Sequence, residues 1–245
     1  MEKIRLQKAL AEAGFCSRRE AERMIEEGRV LLNGKPLTQQ GMKIDPLTDK
    51  VKVDGKPVRL YAPGDHTKVY FLLNKPGNVL TTTKDDRGRQ TVIDLMRGAE
   101  DTRIFPVGRL DFDSEGALLL TNDGPLANQL THPKSHVPKT YMAKVKGVPP
   151  EEKLDKLRRG IYLEDGPTQP AHVEMVNKVN KNTWVEIIIT EGRNRQVKRM
   201  FWRIKHPVIK LVRTHFGNLN IDGLRPGQFR ELSKKELAQL RALAR

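Results

Sequence analysis

The sequence predicts a protein that mixes helices and strands in two domains. Two segments with apolar residues at helical spacing begin at a Ser followed three residues later by a Glu, which is the capping-box pattern. Short β-branched runs separated by Asn-Gly and Asp-Gly predict hairpins. The polar stretch YAPGDHTK, residues 61–68, predicts a linker between a domain at 1–60 and a larger one at 69–245.

The N-terminal region predicts two helices followed by short strands. The first helix ends at Gly14, and its apolar residues recur at helical spacing: Ile4, Leu6, Ala9, Leu10 and Ala13. A second helix is expected from the Ser17/Glu20 capping box to Gly28. The strands VLL and VKV follow, with turns at Asn33-Gly34 and Asp54-Gly55.

The larger region alternates short strands with turns and a few helices. It begins with the apolar strand VYFLLNKPG, and KTYMAKVKG at 139–147 alternates Tyr141 and two further apolar residues with Met142 and lysines. PPEEKLDKLRRG predicts a helix that ends at Gly160 and is followed by the β-branched strand TWVEIIIT. A second capping box, Ser233 with Glu236, opens a last helix.

Composition indicates a soluble protein with a polyanionic partner. Lys and Arg number 45 against 30 Asp and Glu, which gives a net charge of +15. This excess favours nucleic acid over an anionic membrane surface. The single cysteine, Cys16, excludes an internal disulfide and is typical of a reducing compartment. No apolar run approaches the ~20 residues that span a bilayer. Acidic residues interrupt the N-terminal helix, which is therefore not expected to be a secretory signal. We therefore expect a cytoplasmic protein that does not contact a membrane.

Two basic clusters are candidates for nucleic-acid contact. Arg18, Arg19, Arg23 and Arg29 lie on and just after the second predicted helix. A solvated helix face is the usual interpretation, but the net charge of the chain favours phosphate contact. The second cluster belongs to EGRNRQVKRMFWRIKHP, where an apolar stripe at i, i+3, i+4, i+7 predicts a buried helix face: Val197, Met200, Phe201 and Ile204.

A second face of that helix repeats the same spacing with basic and aromatic residues: Arg195, Lys198, Arg199 and Trp202. This combination fits a nucleic-acid backbone plus one base. A solvated face with Trp202 partly buried is an equally open alternative on the residues alone.

Several chemistries find no support in the sequence. His132 and His136 have metal-like spacing, but Pro133 lies between them and neither a cysteine nor a nearby carboxylate completes a site, so no metal is expected. The phosphate loop GxxxxGK[ST], the dinucleotide motif GxGxxG and the hydrolase elbow GxSxG are absent. Cys16, beside a helix cap, is expected to be a small buried side chain and not a nucleophile.

The segment GRLDFDSEGALLLTNDG, residues 108–124, is unusual in a basic chain. It places Asp111, Asp113 and Asp123 within thirteen positions, with Glu115 between them. The apolar run from Ala117 to Leu120 predicts a strand, so Asp111 stands where that strand begins.

This segment, extended to PVGRLDFDSEGALLLTNDG, resembles the signature of the pseudouridine synthases of the small-ribosomal-subunit type. Residues 1–60 resemble an S4 RNA-binding domain through RLQKALAEAGFCSRREAERMIEEGRVLLNGK. NKPGNVLTT resembles the family's first motif, EGRNRQVKRM its third, and LVRTHFGNLNIDGLRPGQFREL its C-terminal strand segment. The resemblance implies an α+β fold: a small S4 domain, then a catalytic domain with a mixed, mostly antiparallel sheet flanked by helices.

The sequence departs from the family pattern at a few positions. The first motif usually reads Lys-Pro-x-Gly, whereas Lys75-Pro76 is followed here by Gly77-Asn78. Asn, like Gly, tolerates a positive φ. Ser114 and Ala117 stand where Thr and Leu are commoner, and none of these positions carries the expected chemistry.

The resemblance implies an isomerase that acts on uridine within RNA without a cofactor or metal. Such an enzyme breaks the N1–C1′ glycosidic bond, turns the detached uracil and rejoins it through C5. The Asp of GRLD is the family's essential residue, so Asp111 is the expected catalytic residue. Its carboxylate either attacks C1′ or removes the C2′ proton. A dry pocket tolerates an ionised carboxylate only beside a cation, and by the third motif that cation is Lys198, with Arg199 second.

Further roles follow from the same resemblance. A uridine in structured RNA must leave its stack, and Arg109 displaces the base or holds what is left behind. Tyr141 stacks against the target base, although without the resemblance it would be interpreted as a core aromatic. Asp113 is expected to be a turn carboxylate and Asp123 the i+1 residue of an Asn-Asp-Gly turn.

The expected substrate is ribosomal RNA or a pre-ribosomal particle, bound by a monomer. The third motif and the Thr-His-Pro sequence resemble most closely the members that modify large-subunit (23S) RNA, since small-subunit members more often carry Tyr-His where this chain has Asn194-Arg195. Residues expected to contact the RNA are Arg18, Arg19, Arg23, Arg195 and Trp202. The alternatives are a small-subunit (16S) member, a non-catalytic ribosome-assembly protein, against which Asp111 and its candidate cation argue, and a DNA-binding regulator, for which no recognition helix is found.

Overall fold

The computed structural model describes residues 3–62, 67–99 and 103–244. The chain divides into two compact units: one contains the described residues up to Lys68 together with Arg103, and the other contains Val69–Ala99 and the described residues from Ile104 onward. Residues 63–66 of the predicted linker lie outside the described residues.

The first unit packs two helices against short strands. Its elements are β1 (Ile4–Arg5), α1 (Leu6–Glu12), α2 (Arg18–Glu26), β2 (Val30–Leu32), β3 (Lys35–Leu37), β4 (Lys43–Ile44), β5 (Val51–Val53) and β6 (Lys56–Val58). The sheet order is β3-β2-β5-β6, and β1 pairs separately with β4. The predicted turns are confirmed, because Asn33 and Asp54 adopt φ near +50° and the glycines after them are also left-handed.

The start of the first helix differs from the sequence prediction, whereas the burial of Cys16 agrees with it. Ile4 does not belong to the first helix, because it pairs with Ile44 in β1 and the helix begins at Leu6. Cys16 is buried as predicted, and this burial raises the pKa of its thiol.

The second unit is built on one large sheet. Its strands are β7 (Tyr70–Lys75), β8 (Phe105–Pro106), β9 (Glu115–Thr121), β10 (Lys139–Lys146), β11 (Tyr162–Leu163), β12 (Gly166–Pro167), β13 (His172–Val179), β14 (Asn182–Ile189), β15 (Val208–Phe216), β16 (Leu219–Asn220) and β17 (Phe229–Glu231). Its helices are α3 (Gly124–Thr131), α4 (Glu151–Arg159), α5 (Gln196–Arg203) and α6 (Lys234–Leu243). Short 3₁₀ turns cover Asp94–Met96 and Pro133–Ser135.

The sheet is mixed and mostly antiparallel, which confirms the predicted α+β fold. Its order is β13-β14-β10-β15-β9-β7-β17, with β16 on β15 and β8 on β9. The parallel pair is β15 with β9, and it joins the two halves of the sheet. The middle of β9 is apolar on both faces because Ala117 and Leu119 pack into one core and Leu118 and Leu120 into another.

The parallel junction depends on Gly116. This residue pairs with Arg213 and adopts φ +110°, a conformation that L side chains rarely take. A Cβ atom at this position would lie 2.1 Å from the Arg213 carbonyl oxygen. Glycine therefore permits the close approach of β9 and β15 directly after the GRLD loop.

Asp123 corrects one prediction. It is not a simple turn residue but the N-cap of α3, where its carboxylate accepts a hydrogen bond from the Leu126 amide at 3.1 Å. The Tyr70 hydroxyl donates to the same carboxylate at 2.7 Å. Burial and this bond raise the pKa of Tyr70 to about 12. Asp123 thus fixes the far end of β9, away from Asp111.

Several helix predictions for this unit are confirmed. Helix α4 ends at Gly160, and the Ser233/Glu236 capping box forms in full at the start of α6. The predicted apolar stripe of α5 is buried at Val197, Met200 and Phe201. Among the described residues, no helix has the length and apolar character needed to cross a bilayer.

Candidate active site

Asp111 lies in the loop between β8 and β9, at the wall of a cavity of about 200 Å³ in the second unit. Three residues expected from the sequence to bind the substrate or the RNA line the same cavity: Arg109 in that loop, Tyr141 on β10 and Arg195 just before α5. The cavity forms where the parallel pair β9–β15 meets β10, so residues distant in sequence face one another.

A buried lysine holds the Asp111 loop from beneath. Lys75, at the end of β7, is fully buried, and its Nζ donates to the carbonyl oxygens of Ser114 at 2.8 Å, Pro76 at 2.9 Å and Phe112 at 3.3 Å. These acceptors satisfy the three donors of an ammonium. Burial lowers the pKa of Lys75 to about 8. The loop is therefore fixed before any substrate binds.

Two further bonds tie the loop to the segment after β7. The Asn78 amide donates to the Phe112 carbonyl at 2.8 Å, and the Thr81 hydroxyl donates to the Leu110 carbonyl at 2.8 Å. The Ser114 amide closes the turn by donating to the Asp111 carbonyl at 3.1 Å. With its backbone oxygens engaged in this way, the loop presents the Asp111 side chain to the cavity in a defined position.

Lys198 on α5 places its ammonium between two carboxylates. Its Nζ lies 3.2 Å from Asp111 Oδ2 and 2.5 Å from Asp113 Oδ1. Asp113 lies in a turn, as expected, but it is also the nearer partner of Lys198. The hydrogen bond from Lys198 holds the pKa of the Asp113 carboxyl below its usual range. Asp111 and Asp113 therefore share one cation.

Arg199, the second candidate for that cation, is engaged elsewhere. Its guanidinium makes two hydrogen bonds of 2.9 Å with Asp165, in the turn between β11 and β12, and contacts Glu164 at 3.3 Å. The pair holds the pKa of Asp165 at about 2. The expectation that Arg199 could neutralise Asp111 is wrong for this arrangement, because bidentate pairing fixes the guanidinium on the hairpin.

All four residues of the predicted common face line one depression, although Arg195 lies outside the helix: Arg195, Lys198, Arg199 and Trp202. Helix α5 begins at Gln196, and Arg195 precedes it in the left-handed conformation, with φ +48°. Arg195 consequently turns to the cavity that contains Asp111. Trp202 is 65% exposed beside that depression, and Arg195 lines both the depression and the cavity. The indole is thus largely exposed.

Tyr141 and Arg109 lie on different parts of the cavity. Tyr141 is half-buried on the inward face of β10, as the alternation predicts, and packs against the cores on both sides. Arg109 is exposed and follows Gly108, which adopts φ +71°. Tyr141 therefore forms a fixed wall, whereas the Arg109 side chain extends from the rim.

Three cations that were not singled out in the sequence also line this cavity: Lys139, Arg193 and Arg213. Arg213 on β15 is 3% exposed, and its Nε donates to the Ala117 carbonyl at 2.7 Å. Lys139 at the start of β10 also lines the cavity, where burial is the main cause that lowers its pKa to about 8. One signal was present: in LVRTHF, Arg213 alternates with Leu211 on a face that the strand period predicts to be inward.

Comparisons with known proteins agree with this geometry. The RNA pseudouridylate synthase family profile matches residues 69–202, and the S4 domain profile matches residues 4–46. The chain is 49% identical to the ribosomal large subunit pseudouridine synthase B of Bacillus subtilis, over 98% of this chain and 96% of that protein. An uncharacterized RNA pseudouridine synthase of Aquifex aeolicus is 44% identical over 98% of this chain and 94% of its own length. The chain belongs to the RNA pseudouridine synthase family.

A solved structure extends the likeness to the fold. A crystal structure of a pseudouridylate synthase superimposes with a TM-score of 0.69 and 29% identity, covering 97% of this chain and 99% of that one. The likeness covers residues of both units of this pseudouridine synthase.

The departure in the first motif of this pseudouridine synthase is accommodated by the backbone. Asn78 adopts φ +61°, the left-handed conformation, at the position where the family has Gly. Its amide still reaches the Phe112 carbonyl of the GRLD loop. The substitution of Asn for Gly therefore preserves the turn that supports Asp111.

The basic residues of the S4 unit differ in their partners. Arg23 pairs with Glu20 at 2.5 Å, and Arg29 pairs with Asp54 at 2.6 Å. Arg18 and Arg19, at the start of α2, are exposed. These two side chains are the members of the cluster best placed to meet phosphates. Within the described part of this pseudouridine synthase, no group of three or more His, Cys, Asp or Glu residues is positioned to hold a metal ion.

Proposed function

We propose that this enzyme converts a uridine of large-subunit ribosomal RNA to pseudouridine, with Asp111 as the catalytic residue. The observation that carries the proposal is the Lys198–Asp111 pair at 3.2 Å, because Asp111 lines a cavity that Tyr141 also lines. The choice of large-subunit RNA is supported by the 49% identity with the Bacillus subtilis protein of that name.

The chemistry requires an ionised carboxylate next to the ribose. Asp111 either attacks C1′ or removes the C2′ proton, and in both routes the electron pair of the N1–C1′ bond passes to the uracil ring. The ring then turns and C5 bonds to C1′, which expels the Asp111 carboxylate in the first route and is accompanied by return of the proton to C2′ in the second. The C5 proton leaves and N1 gains a proton. Lys198 stabilises the ionised form of Asp111 in the partly dehydrated cavity. Asp113 holds Lys198 in place from the solvent side.

The other residues bind and position the RNA. Tyr141 forms the wall against which the flipped uracil stacks, and Arg109 at the rim occupies the space that the base leaves in the RNA. Arg195 contacts a phosphate near the target, and the exposed Trp202 stacks on a neighbouring base. Arg199 supports the site indirectly, through its pairing with Asp165.

The S4 unit contributes affinity that does not depend on chemistry. We assign residues 1–60 to RNA binding and 69–245 to catalysis, with 61–68 as the connection. Arg18 and Arg19, with a smaller contribution from Arg23, contact phosphates of ribosomal RNA or of a pre-ribosomal particle. The enzyme acts in the cytoplasm, as a monomer and without contact with membranes.

Mapping pseudouridines in both ribosomal RNAs of a strain that lacks the gene tests this function. We expect one large-subunit position to lose its modification, and we expect a plasmid copy with wild-type Asp111 to restore it. Loss of a small-subunit position would identify a small-subunit enzyme instead. Unchanged modification of both RNAs would favour the non-catalytic alternative.

A further inference from the structure

Arg213 is a buried cation whose described contacts do not balance its charge. It lies on β15 opposite Gly116 and Tyr141, and its side chain is directed to the cavity that contains Asp111. Its Nε donates to the Ala117 carbonyl, and its guanidinium lies 5.2 Å from the centre of the Phe216 ring. Both of these groups are formally neutral, so they leave its charge uncompensated.

One nitrogen of this guanidinium has no hydrogen-bond partner among the described residues. Among the described residues, Arg213 Nη2 is a buried atom without a hydrogen-bond partner, and the same holds for Ser114 Oγ, whose residue lines the same cavity. A buried donor without an acceptor costs about 1–3 kcal/mol and is uncommon in folded proteins. Because Arg213 is among the residues that line the substrate cavity, an acceptor that arrives with the substrate would satisfy this donor.

A second cation at the same wall strengthens this interpretation. Lys139 lines the cavity, and after burial the next cause that lowers its pKa to about 8 is the charge of Arg213. These two partly dehydrated cations repel each other in the empty site, and the charge of Glu191, which also lines the cavity, offsets this repulsion in part. Negative charge that develops nearby during the reaction would relieve this repulsion.

The proposed reaction generates such a charge on the base. Cleavage of N1–C1′ leaves the bonding electrons on the uracil ring, by attack of Asp111 at C1′ as well as by removal of the C2′ proton. In the resulting anion the charge is shared by N1 and the two carbonyl oxygens, O2 and O4. The base therefore needs a hydrogen-bond donor at a carbonyl oxygen, and it needs that donor most when the glycosidic bond is broken.

We propose that Arg213 donates to a carbonyl oxygen of the target uracil and stabilises the base as it leaves C1′ as an anion. This inference rests on the proposed pseudouridine synthase activity and extends it to recognition of the base. Arg213 would then be a catalytic residue that acts on the leaving group, whereas Asp111 acts on the ribose.

The symmetry of uracil lets one donor serve both halves of the reaction. The half turn that replaces N1 by C5 runs about the axis through N3 and C6, and it exchanges O2 and O4. A donor that faces one carbonyl before the turn therefore faces the other afterwards. Cytosine would present its 4-amino group in one of the two orientations, where a donor would meet a donor. Arg213 thereby favours uridine over cytidine.

The test compares single-turnover rates of two enzymes on three versions of a synthetic RNA fragment. The fragment spans the uridine found by pseudouridine mapping. The fragment carries uridine, 2-thiouridine or 4-thiouridine at that position, because sulfur is the weaker acceptor. Wild-type enzyme is compared with Arg213→Gln, which keeps a donor but removes the charge. On uridine we expect Arg213→Gln to be slower by about 10²–10³-fold, the range for loss of one oxyanion donor.

The ratio of the uridine rate to each thiouridine rate distinguishes direct contact of Arg213 with the base from a purely structural role of Arg213. If Arg213 contacts a carbonyl oxygen, the ratio for at least one thiouridine changes by about fivefold or more between wild type and variant. A purely structural role would slow all three RNAs by the same factor, and ratios equal within about twofold would overturn the proposal.

Two controls keep the result interpretable. Arg213→Lys replaces Arg213→Gln if the latter does not fold, as judged by its thermal unfolding, and the same ratios then decide. Lys210 lies on the same strand as Arg213 and forms an ion pair with Glu115 of β9. Lys210→Met removes this pair and is expected to leave the ratios unchanged. The proposed function would fail if the strain that lacks the gene lost no pseudouridine from either ribosomal RNA, which is distinct from equal ratios in an active enzyme.

Discussion

The ammonium of Lys198 lies 3.2 Å from Oδ2 of Asp111, and the two side chains are only 13% and 24% exposed. At this distance, and with little water between them, opposite charges attract more strongly than at an open surface. The pair joins helix α5 to the GRLD loop. These two elements are far apart in the sequence, so the pair forms only when they pack together.

Removal of this cation should slow the reaction strongly. In Lys198→Met we expect the single-turnover rate at neutral pH to fall by at least about 100-fold, because Asp111 loses the charge that stabilises its ionised form. Lys198→Arg keeps the charge and should retain more activity. Arg199→Met is the matched control, and its effect should stay within about tenfold because Arg199 pairs with Asp165. A rate for Lys198→Met equal to that of Arg199→Met would contradict the assignment.

Burial of Lys75 should make stability depend on pH in a defined direction. The pKa of Lys75 falls from its ordinary 10.5 to about 8 in the folded state, mainly because of burial. Between these two values the unfolded chain binds more protons than the folded one, so the free energy of unfolding rises with pH. Relative to Lys75→Met, wild type should gain up to about 1.4 kcal/mol per pH unit in this window.

Denaturant unfolding of wild type and Lys75→Met at about pH 7.5 and about pH 9.5 measures this difference. The exposed Lys84, replaced by Met, should show no such change between the two pH values. A constant difference between wild type and Lys75→Met would show that Lys75 keeps its proton throughout this range.

Gly116 should not tolerate a side chain. The Cβ of Gly116→Ala would lie 2.1 Å from the Arg213 carbonyl oxygen, at a φ of +110°. We expect a loss of at least about 3 kcal/mol in the free energy of unfolding, or failure to fold. At Gly192 a Cβ would meet no heavy atom within 4 Å among the described residues beyond its chain neighbours, so Gly192→Ala should cost less than about 1 kcal/mol. Equal stability of the two variants would mean that β9 and β15 can separate without cost.

The S4 unit should contribute to the salt dependence of RNA binding. Because Arg18 and Arg19 are exposed, replacing both by Ala should reduce the slope of log K against log salt by about 2, since each arginine neutralises one phosphate. Arg29→Ala should change the slope less, since Arg29 already pairs with Asp54 and Glu27. Deletion of residues 1–60 should weaken binding and flatten the slope further but leave slow turnover on a saturating RNA fragment. An unchanged slope in the double variant would assign another role to α2.

The sequence predicted most elements whose causes are local. The Asn33-Gly34 and Asp54-Gly55 turns and the Ser233/Glu236 box depend on residues within a few positions of one another, and each formed as expected. The start of α5 was misplaced because Arg195 takes a left-handed conformation. The Gln196 side chain accepts a hydrogen bond from the Arg193 amide at 3.0 Å, and periodicity does not register such a contact.

The parts of the site that the sequence missed depend on distant partners. Lys75 meets carbonyl groups of the GRLD loop, Asp123 meets Tyr70, and Arg213 lies against the carbonyl of Ala117. A lysine or arginine in a strand gives no local sign of whether it points to solvent or to a cavity. Only the parallel pairing of β9 with β15 brings Arg213 to the cavity of Asp111, and parallel pairing has no turn signal in the sequence.

Single-turnover pseudouridine formation by Asp111→Asn, with Asp113→Asn beside it, tests the central claim most directly. Asn keeps the size of the side chain but can neither attack C1′ nor remove a proton, so Asp111→Asn should form no pseudouridine. Its RNA affinity and thermal unfolding should stay close to wild type. Asp113→Asn loses only the second partner of Lys198 and should retain activity within about tenfold of wild type. Turnover by purified Asp111→Asn, or an equal loss in both variants, would contradict the account.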